Sequence, residues 1–485
     1  MSLNDITALS PFIILAATVL IVVLVISFYR HHFITALITV IGHAAAIAVL
    51  PSLTELTPRL VTPIIIIDDY SLFYIGLITA ASLIVSVLMY SYLQRREAQR
   101  EEFYALLLIA TIGSSVLVTS SHFITLFLGL EVLTVSLYGM IAYLFTYDRP
   151  LEAGIKYLVL AAASSAFLLF GMALIYAETG TMLFSELAAK LAAGEGLRQL
   201  YILTGTGMMI VGIGFKLAVV PFHMWTPDIY EAAPAPVTAY LATVSKGGMF
   251  AVLLRYFIEL NVYAYETVFF VFTVIAILSM FTGNILALLQ NNVKRILAYS
   301  SIAHLGYILV AFLAGGALAA EAVTFYLVAY FITTLGAFGI VGLLMSGERE
   351  PERIQDYRGL YVRRPWLSAV FTAMMLSLAG IPLTAGFIGK FYVLTAGVGS
   401  ALWVLVIVLV VNSAIGLYYY LRIVITMYST PDETGPATVP GSLAQSISIA
   451  GAIVLAFLMI TLVWLGVYPE PLIAIIQDIA GRLGS

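Results

Sequence analysis

The 485-residue chain contains no cysteine and very little charge. Without cysteine, no disulfide and no cysteine-ligated zinc or iron–sulfur centre can form within it. Asp, Glu, Lys and Arg make up only 10% of the residues, against about 25% in a soluble globular protein. The net charge of −4 and the lack of any basic block argue against a nucleic-acid partner. Because 62% of the residues are hydrophobic, we expect the chain to face lipid.

Long apolar segments recur along the whole chain. A membrane-spanning helix needs about 20 mostly apolar residues, so we predict an all-α membrane protein with about 14 spans. The spans must be helices because lipid offers the backbone no hydrogen-bond partners. The first apolar run ends in Arg30 and two histidines rather than at a small-residue cleavage site, so we expect it to be retained. The predicted spans are centred near residues 20, 42, 81, 110, 133, 166, 211, 246, 277, 306, 334, 379, 411 and 456.

The Lys and Arg residues of the predicted loops indicate how the chain is oriented. Most of them, Lys294 among them, fall on loops opposite the N-terminal side, whereas Arg255 and a few others fall on the N-terminal side. Cytoplasmic loops carry an excess of basic residues, so we expect both termini to lie outside the cytoplasm.

Two segments do not have the character of spans. Residues 181–196 predict a short amphipathic helix on the outer side, with Glu186 and Lys190 paired at i,i+4. Residues 429–442 predict a cytoplasmic loop because they are rich in Pro, Gly and Thr. The sequence contains no phosphate-binding loop and no dinucleotide-binding fingerprint.

Charged residues inside the predicted spans are the strongest functional signal. A lysine at the centre of a membrane helix costs about 2.5–3.5 kcal/mol, so a sequence rarely keeps one without a use. Lys156 follows Glu152 by one turn and could instead reach the membrane surface, and a purely structural Glu131–Lys216 ion pair is also possible. The intramembrane charges are Glu131, Lys156, Lys216, Lys246 and Lys390.

Lysine is suited to proton transfer in a way that arginine is not. Burial can lower the pKa of a lysine by about 3–5 units, towards neutral pH, whereas an arginine stays charged. A nearby carboxylate opposes that shift, so we predict that Glu131 modulates Lys216. His223 and His304 are further candidates for a proton relay, although hydrogen-bonded core histidines would give the same pattern.

Two predicted spans contain helix-breaking residues close to a lysine. In the first, Pro221 follows Lys216 by five residues and should interrupt the helix beside it. In the second, Pro382 precedes Lys390 and is accompanied by glycines. Paired broken helices are typical of transporters. Freed backbone groups at membrane depth need polar partners, so we expect a hydrated cavity beside Lys216.

Three sequence motifs resemble a known family. They are "GIGFKLAVVPFHMWTPDIYEAAPAPVTAYLATVSK", "NNVKRILAYSSIAHLGY" and "LSLAGIPLTAGFIGKFYVL". The chain resembles the antiporter-like membrane subunits of respiratory complex I (NADH:quinone oxidoreductase), and among them the bacterial N subunit. The resemblance implies one polytopic membrane domain with two inverted five-helix repeats and two broken helices. Its parts are three N-terminal helices (1–98), the first repeat (99–260), the second repeat (261–428), and a cytoplasmic loop with the last helix (429–485).

The resemblance also implies roles for the intramembrane residues. Glu131 would modulate Lys216, Lys246 would connect the two repeats, and Lys390 would be the terminal base. Lys156, His223 and His304 would be supporting relays, in a subunit of a proton-translocating quinone reductase. A second buried glutamate, equivalent to Glu131, cannot be placed in the C-terminal half.

The partners implied are the neighbouring antiporter-like and small membrane subunits of complex I and membrane lipid, in a bacterial inner membrane with both termini periplasmic. NADH, FMN, iron–sulfur clusters and quinone are expected on partner subunits, and no cofactor or metal is expected in this chain. Two other interpretations stay open at this stage. One is a subunit of a multisubunit sodium/proton antiporter, and the other is a structural spacer within a membrane complex.

Overall fold

Helices form nearly all of the regular structure in the computed structural model of the chain. The structure describes residues 2–94, 96, 100–145, 147–193, 199–261, 265–346, 349–430 and 448–482. One small antiparallel hairpin, β1 (Arg59–Thr62) with β2 (Ile65–Ile67), lies between two of the helices.

The helices follow one another with short connections. In chain order they are α1 (Leu3–Ala8), α2 (Ser10–Phe28), α3 (His32–Val49), α4 (Asp69–Leu93), α5 (Glu102–Val118), α6 (Phe123–Ile141), α7 (Asp148–Thr179), α8 (Phe184–Ala193), α9 (Gln199–Leu217), α10 (Trp225–Ala232), α11 (Ala235–Tyr240), α12 (Lys246–Glu259), α13 (Glu266–Leu288), α14 (Val293–Ala314), α15 (Gly316–Leu343), α16 (Leu360–Arg363), α17 (Pro365–Ala379), α18 (Ala385–Gly399), α19 (Trp403–Tyr428), α20 (Ile449–Val467) and α21 (Glu470–Arg482). Short 3-10 turns lie at Leu50–Leu56 and Ile354–Tyr357, and a π-helical segment, Leu241–Ser245, joins α11 to α12.

The predicted all-α membrane fold is confirmed. Within the described ranges, 12 helical segments are long and apolar enough to cross a membrane. The helices α5, α17 and α18 are shorter but also apolar. Every predicted span centre falls inside one of these helices, with α17 and α18 together accounting for the predicted span at residue 379. The division of the chain into two inverted repeats stays a prediction.

Three spans occupy the centre of the bundle. The segment Ala235–Glu259, α14 and α15 are buried along the whole of their most apolar windows, whereas α2 and α7 are largely exposed. Exposed apolar side chains on α2 and α7 suit a lipid environment, because lipid does not penalise them. The central helices are therefore shielded from lipid by their neighbours, which is where polar side chains can be accommodated.

Two basic residues predicted to lie in loops are buried instead. Arg255 lies within α12, where its guanidinium donates to both carboxylate oxygens of Asp68 at 2.7 and 2.8 Å. Lys294 lies in the first turn of α14 and pairs with Glu350 at 2.6 Å. Counting loop charges missed both residues because a carboxylate partner offsets the cost of burying them.

The predicted amphipathic helix is present as α8, but its predicted ion pair is not formed, and its location on the outer side stays a prediction. Glu186 accepts a hydrogen bond from Thr181, 2.6 Å, and Lys190 Nζ donates to the Thr179 carbonyl, 2.5 Å. Each side chain binds the turn before α8 because that turn offers a hydroxyl and a free helix-end carbonyl. Of the predicted loop at 429–442, residues 431–442 lie outside the described residues.

Candidate functional site

The first broken helix ends immediately after Lys216. The last residue of α9 is Leu217, and Ala218 takes the left-handed conformation with φ of 58°. The N–H groups of residues 218 and 219 donate to the carbonyls of residues 215 and 214, at 2.9 and 3.0 Å. This is the Schellman arrangement that terminates helices. The predicted break beside Lys216 is confirmed, and it is complete three residues before Pro221.

The second broken helix ends with the same hydrogen-bond pattern. The last residue of α17 is Ala379, and Gly380 follows with φ of 83°. The N–H groups of residues 380 and 381 donate to the carbonyls of residues 377 and 376, each at 3.0 Å. Lys390, from α18, donates from Nζ to the Ala379 carbonyl at 2.9 Å. Lys216 therefore belongs to the last turn of α9, and the Lys390 ammonium binds the C-terminal end of α17, where the helix dipole favours a positive charge.

Substitutions at the two equivalent turn positions are expected to have opposite effects. A Cβ at Gly380 would lie 2.7 Å from Lys390 Cδ and would also force an alanine to a positive φ. Gly380→Ala should therefore destabilise the turn and displace Lys390, whereas Ala218→Gly should stabilise its helix end by about 1 kcal/mol. Thermal unfolding of both variants tests this expectation. A change in stability of the same sign in both variants would contradict the conclusion that the two turns are equivalent.

Lys216 is enclosed by hydroxyl groups rather than by a carboxylate. Its Nζ donates to Thr134 Oγ1 at 2.8 Å and to the Tyr157 hydroxyl at 3.0 Å. The Glu131 carboxylate lies one turn before Thr134 on α6 and accepts a hydrogen bond from Ser165. Within the described residues, Glu131 and Lys216 form no ion pair, so a purely structural pair is ruled out for this conformation. The two groups are neighbours that hold separate partners.

Lys246 lies at the centre of the bundle, directly after the π-helical segment. Its Nζ donates to Ser301 Oγ on α14 at 2.6 Å, and the ring of Tyr230 lies 5.4 Å from Nζ. Tyr330 on α15 also donates to Ser301 Oγ, at 2.7 Å. π-helical segments are often found at functional sites because they alter the helix register. Lys246 and Tyr330 thus share one serine acceptor at the junction of three central helices.

His304 joins further hydroxyl groups on the same face of α14. The Tyr326 hydroxyl lies 2.7 Å from His304 Nδ1, and the Tyr420 hydroxyl lies 3.0 Å from Nε2. Tyr420 is also hydrogen-bonded to Ser300, one turn before His304. A histidine with a hydroxyl at each ring nitrogen can accept a proton on one side and release one on the other.

Lys390 completes the series at the second break. Besides the Ala379 carbonyl, its Nζ donates to Ser413 Oγ at 2.9 Å, and the ring of Tyr307 lies 5.2 Å away. A groove of about 280 Å³ is lined by Lys390, Ser413 and the Gly380 turn. Lys390 is therefore both hydrogen-bonded and adjacent to open space.

The supporting relay candidates are less central. Lys156 is half-exposed and pairs with Glu152 at 2.7 Å, as the interpretation of a surface-reaching side chain requires. His223 is buried in the turn after α9. It would share a helical face with Lys216 only if α9 continued through this turn, and it does not. His223 Nδ1 has no hydrogen-bond partner among the described residues.

The groove at the first break is apolar. It is lined by side chains of α9 and α13 together with Val220, Pro221 and Phe222. Lys216 is not part of this lining, because its side chain points towards Thr134 and Tyr157. Hydration of the break beside Lys216 stays a prediction.

Several residues of this site were not found from the sequence. The hydroxyl partners are Thr134, Tyr157, Ser300, Ser301, Tyr326, Tyr330, Ser413 and Tyr420. Ser and Tyr are common in membrane helices, so only their position on the buried central helices distinguishes them. The buried Glu350 was also missed, because it lies just after a span and not within one.

A known family matches most of the chain. The family described as NADH:quinone oxidoreductase/Mrp antiporter, TM, matches residues 120–416. That range includes both broken helices and the four principal predicted residues, Glu131, Lys216, Lys246 and Lys390.

Solved structures match the chain over nearly its whole length. A chain of respiratory complex I from Thermus thermophilus with bound aureothin is 30% identical, with a TM-score of 0.79 over 96% of this chain and 98% of that chain. A chain of the membrane-bound sulfane sulfur reductase, an archaeal respiratory membrane complex, is 23% identical, with a TM-score of 0.85 over 99% of this chain and 98% of that chain. A chain of the Mrp complex from Dietzia sp. DQ12-45-1b is 20% identical, with a TM-score of 0.85 over 100% of this chain and 98% of that chain. The last two likenesses show the fold alone.

Proposed function

Because the chain belongs to the NADH:quinone oxidoreductase/Mrp antiporter transmembrane family, we propose that it is a proton-translocating subunit of respiratory complex I, of the N-subunit type. Its place would be in a bacterial inner membrane, beside other antiporter-like and small membrane subunits, with both termini periplasmic. The 30% identity to a chain of the Thermus thermophilus complex supports complex I within the family, and the choice of the N-subunit type rests on the resemblance of the three sequence motifs. NADH, FMN, the iron–sulfur clusters and quinone would be bound by partner subunits, and this chain would supply no redox centre.

The observation that carries the proposal is a series of buried lysines without acidic partners. Within the described part of the chain, Lys216, Lys246 and Lys390 form no ion pair with a carboxylate. A structural lysine at membrane depth is normally paired, because an isolated charge there is costly. Hydroxyl partners behave differently, since a hydroxyl both donates and accepts and so serves a neutral amine as well as an ammonium. Such a site tolerates both protonation states of the lysine.

The arrangement of these residues supports a stepwise transfer through the middle of the membrane. Lys246 and Tyr330 converge on Ser301, and the adjacent turn of α14 carries His304 with its two tyrosine partners. In chain order, Lys246, Ser301 and His304 lie between the two breaks. Each group can take up a proton from one neighbour and pass one to the next.

Glu131 supplies the only carboxylate of the predicted series. Its hydrogen bond from Ser165 fixes it one turn from Thr134, the acceptor of Lys216. The negative charge of Glu131 favours the protonated form of Lys216, although the two groups form no ion pair. We propose that a change in the Glu131–Lys216 separation triggers proton release from this end of the series.

Glu131→Gln is expected to assemble but to slow proton translocation by about 5- to 150-fold, the range typical of the coupling free energy between two sites. The amide keeps the hydrogen bond with Ser165 but removes the charge that acts on Lys216. NADH-driven proton uptake in membrane vesicles measures the effect, and native-gel analysis measures assembly. Glu186→Gln on the outer helix α8 is the matched control and should behave like the wild type. Wild-type uptake in Glu131→Gln would remove this residue from the mechanism.

The same vesicles separate this proposal from the sodium/proton antiporter alternative. The family description includes Mrp antiporters, and the Mrp complex shares the fold. A sodium path would require several carboxylate or carbonyl oxygens around the ion, whereas Lys216 and Lys246 contact hydroxyls and Lys390 contacts one hydroxyl and one carbonyl. Proton uptake should therefore be independent of sodium. Sodium movement in exchange for protons, without NADH, would favour the antiporter alternative.

A further inference from the structure

A second buried ion pair lies at one end of the central helices, outside the proton-transfer series. Lys294 Nζ in the first turn of α14 lies 2.6 Å from Glu350, and the two side chains are 4% and 9% exposed. Both side chains also bind other groups. Lys294 also donates to the Ala233 carbonyl at 2.7 Å, and Glu350 accepts from the Ala235 N–H at 2.9 Å and from Tyr92 at 2.7 Å.

These bonds converge on the connection between α10 and α11. Ala233 and Ala235 flank Pro234, the residue before α11. Lys294 binds the carbonyl of Ala233, and Glu350 binds the N–H of Ala235. Glu350 in turn is held by Tyr92 from the last turn of α4. The pair therefore fixes the start of the α11–α12 span relative to the start of α14.

The two helices joined in this way carry the Lys246–Ser301 contact. Ser301 follows Lys294 on α14 by about 10 Å, at a rise of 1.5 Å per residue. Lys246 follows Ala235 along α11, the π-helical segment and the first residue of α12. The π-helical segment interrupts the regular register between Ala235 and Lys246, so the contacts that hold the start of α11 help to set where Lys246 lies.

We propose that Lys294 and Glu350 form a clamp that positions Lys246 against Ser301, making both of them positioning residues for proton transfer. This inference rests on the proposed function, in which Lys246 passes a proton along α14. Among the residues that the structure describes, neither Lys294 nor Glu350 is hydrogen-bonded to a member of the proton-transfer series.

The bonds to the backbone distinguish a clamp from a stabilising ion pair. Well-packed apolar residues can replace a buried ion pair with little loss of stability, or even with a gain. Apolar residues cannot donate a hydrogen bond to the Ala233 carbonyl or accept one from the Ala235 N–H. A variant in which both Lys294 and Glu350 are replaced by apolar residues should therefore fold, but the start of α11 should no longer be fixed relative to α14.

The central test compares single and double substitutions in the assembled complex. Glu350→Met or Lys294→Met alone leaves an unpaired buried charge and should reduce both thermal stability and proton uptake. Lys294→Met with Glu350→Met should recover most of the stability but keep proton uptake reduced about tenfold. Recovery of wild-type uptake in the double variant would overturn the clamp. Glu352→Gln is the matched control from the same loop, since Glu352 pairs only at the surface with Arg149, and it should have wild-type uptake.

A double-mutant cycle keeps the proposal testable if the methionine variants do not assemble. Glu350→Gln keeps the shape of the side chain, and Ser301→Ala removes the acceptor of Lys246. If Glu350 acts through that contact, the combined variant should be no worse than the poorer of the two single variants. Multiplication of the two single effects would overturn the clamp.

Lys246→Gln, measured in parallel, separates the two levels of the argument. Loss of uptake in Lys246→Gln together with multiplicative effects in the cycle would refute the clamp alone. Full uptake in Lys246→Gln would refute the proposed function, and the clamp would then have no reaction to serve.

Discussion

Lys390→Arg is expected to assemble in normal amounts and to lose about 99% of NADH-driven proton uptake, the order of effect seen when a proton-transfer group is disabled. In the structure, the Lys390 ammonium donates to Ala379 and Ser413 at the end of a broken helix. An arginine keeps the charge and the donors needed for these acceptors. Its guanidinium stays protonated in proteins, so it cannot release a proton in each cycle.

Lys390→His provides the complementary variant. Histidine has an unperturbed pKa near 6.5 and can exchange protons at neutral pH, so it should retain more activity than arginine. Quinone reductase rate and proton uptake are compared at equal subunit content for both variants. Full uptake in Lys390→Arg would mean that Lys390 never deprotonates, and the second broken helix would then have only a structural role.

Asp68→Asn is expected to lower the stability of the subunit by about 3–5 kcal/mol. The substitution removes the short ion pair of Arg255, which is 1% exposed, and leaves it the more distant carboxylate of Glu259 at 4.0 Å. Arg255 lies on α12, and the neighbouring Tyr70 binds the same helix through the Ala251 carbonyl at 2.7 Å. The weaker pairing of this buried guanidinium should therefore loosen the helix that carries Lys246. Asp68→Asn with Arg255→Met should recover most of the stability, because the buried guanidinium is then removed and Glu259, whose side chain is 24% exposed, can reach water.

The same ion pair predicts how stability depends on pH. Burial alone would raise the pKa of Asp68, but the Arg255 charge, the hydrogen bonds from Arg255 and those from Ser71 hold it below its ordinary value. A depressed carboxyl pKa contributes stability above the unfolded value, and that contribution is lost as pH falls through the folded pKa. Thermal unfolding between pH 3 and 7, about the range of carboxyl titration, should show a smaller acid dependence in Asp68→Asn than in the wild type. Identical acid dependence would contradict the role of the pair.

The membrane fold was predictable because hydropathy acts along the chain and needs no tertiary information. Span positions followed from runs of apolar residues, and the break beside Lys216 was predicted from Pro221. The structure locates that break in a left-handed turn at Ala218, a position that alanine seldom occupies and that no sequence rule indicates. The equivalent Gly380 was easier to anticipate, because glycine favours this conformation.

The site was predictable only for charged residues in apolar surroundings. The buried lysines stand out in the sequence because their cost in lipid is large. Their partners do not, since Ser301 and Tyr330 come together only when α14 packs against α15. The pair formed by Lys294 and Glu350 was hidden for a different reason. Each residue lies near the end of a span, where a charge normally reaches water, and their burial depends on a contact between segments far apart in sequence.

The measurement that tests the account most directly is proton uptake by vesicles containing Lys246→Arg. Lys246 lies between the two broken helices, and its Nζ contacts Ser301 at the start of the α14 series. If buried lysines carry protons through this subunit, the variant should assemble and be inserted, yet NADH oxidation should drive less than about a tenth of wild-type proton uptake. Wild-type uptake by the assembled Lys246→Arg complex would show that Lys246 keeps its proton throughout the cycle, and it would contradict the proposed mechanism at its centre.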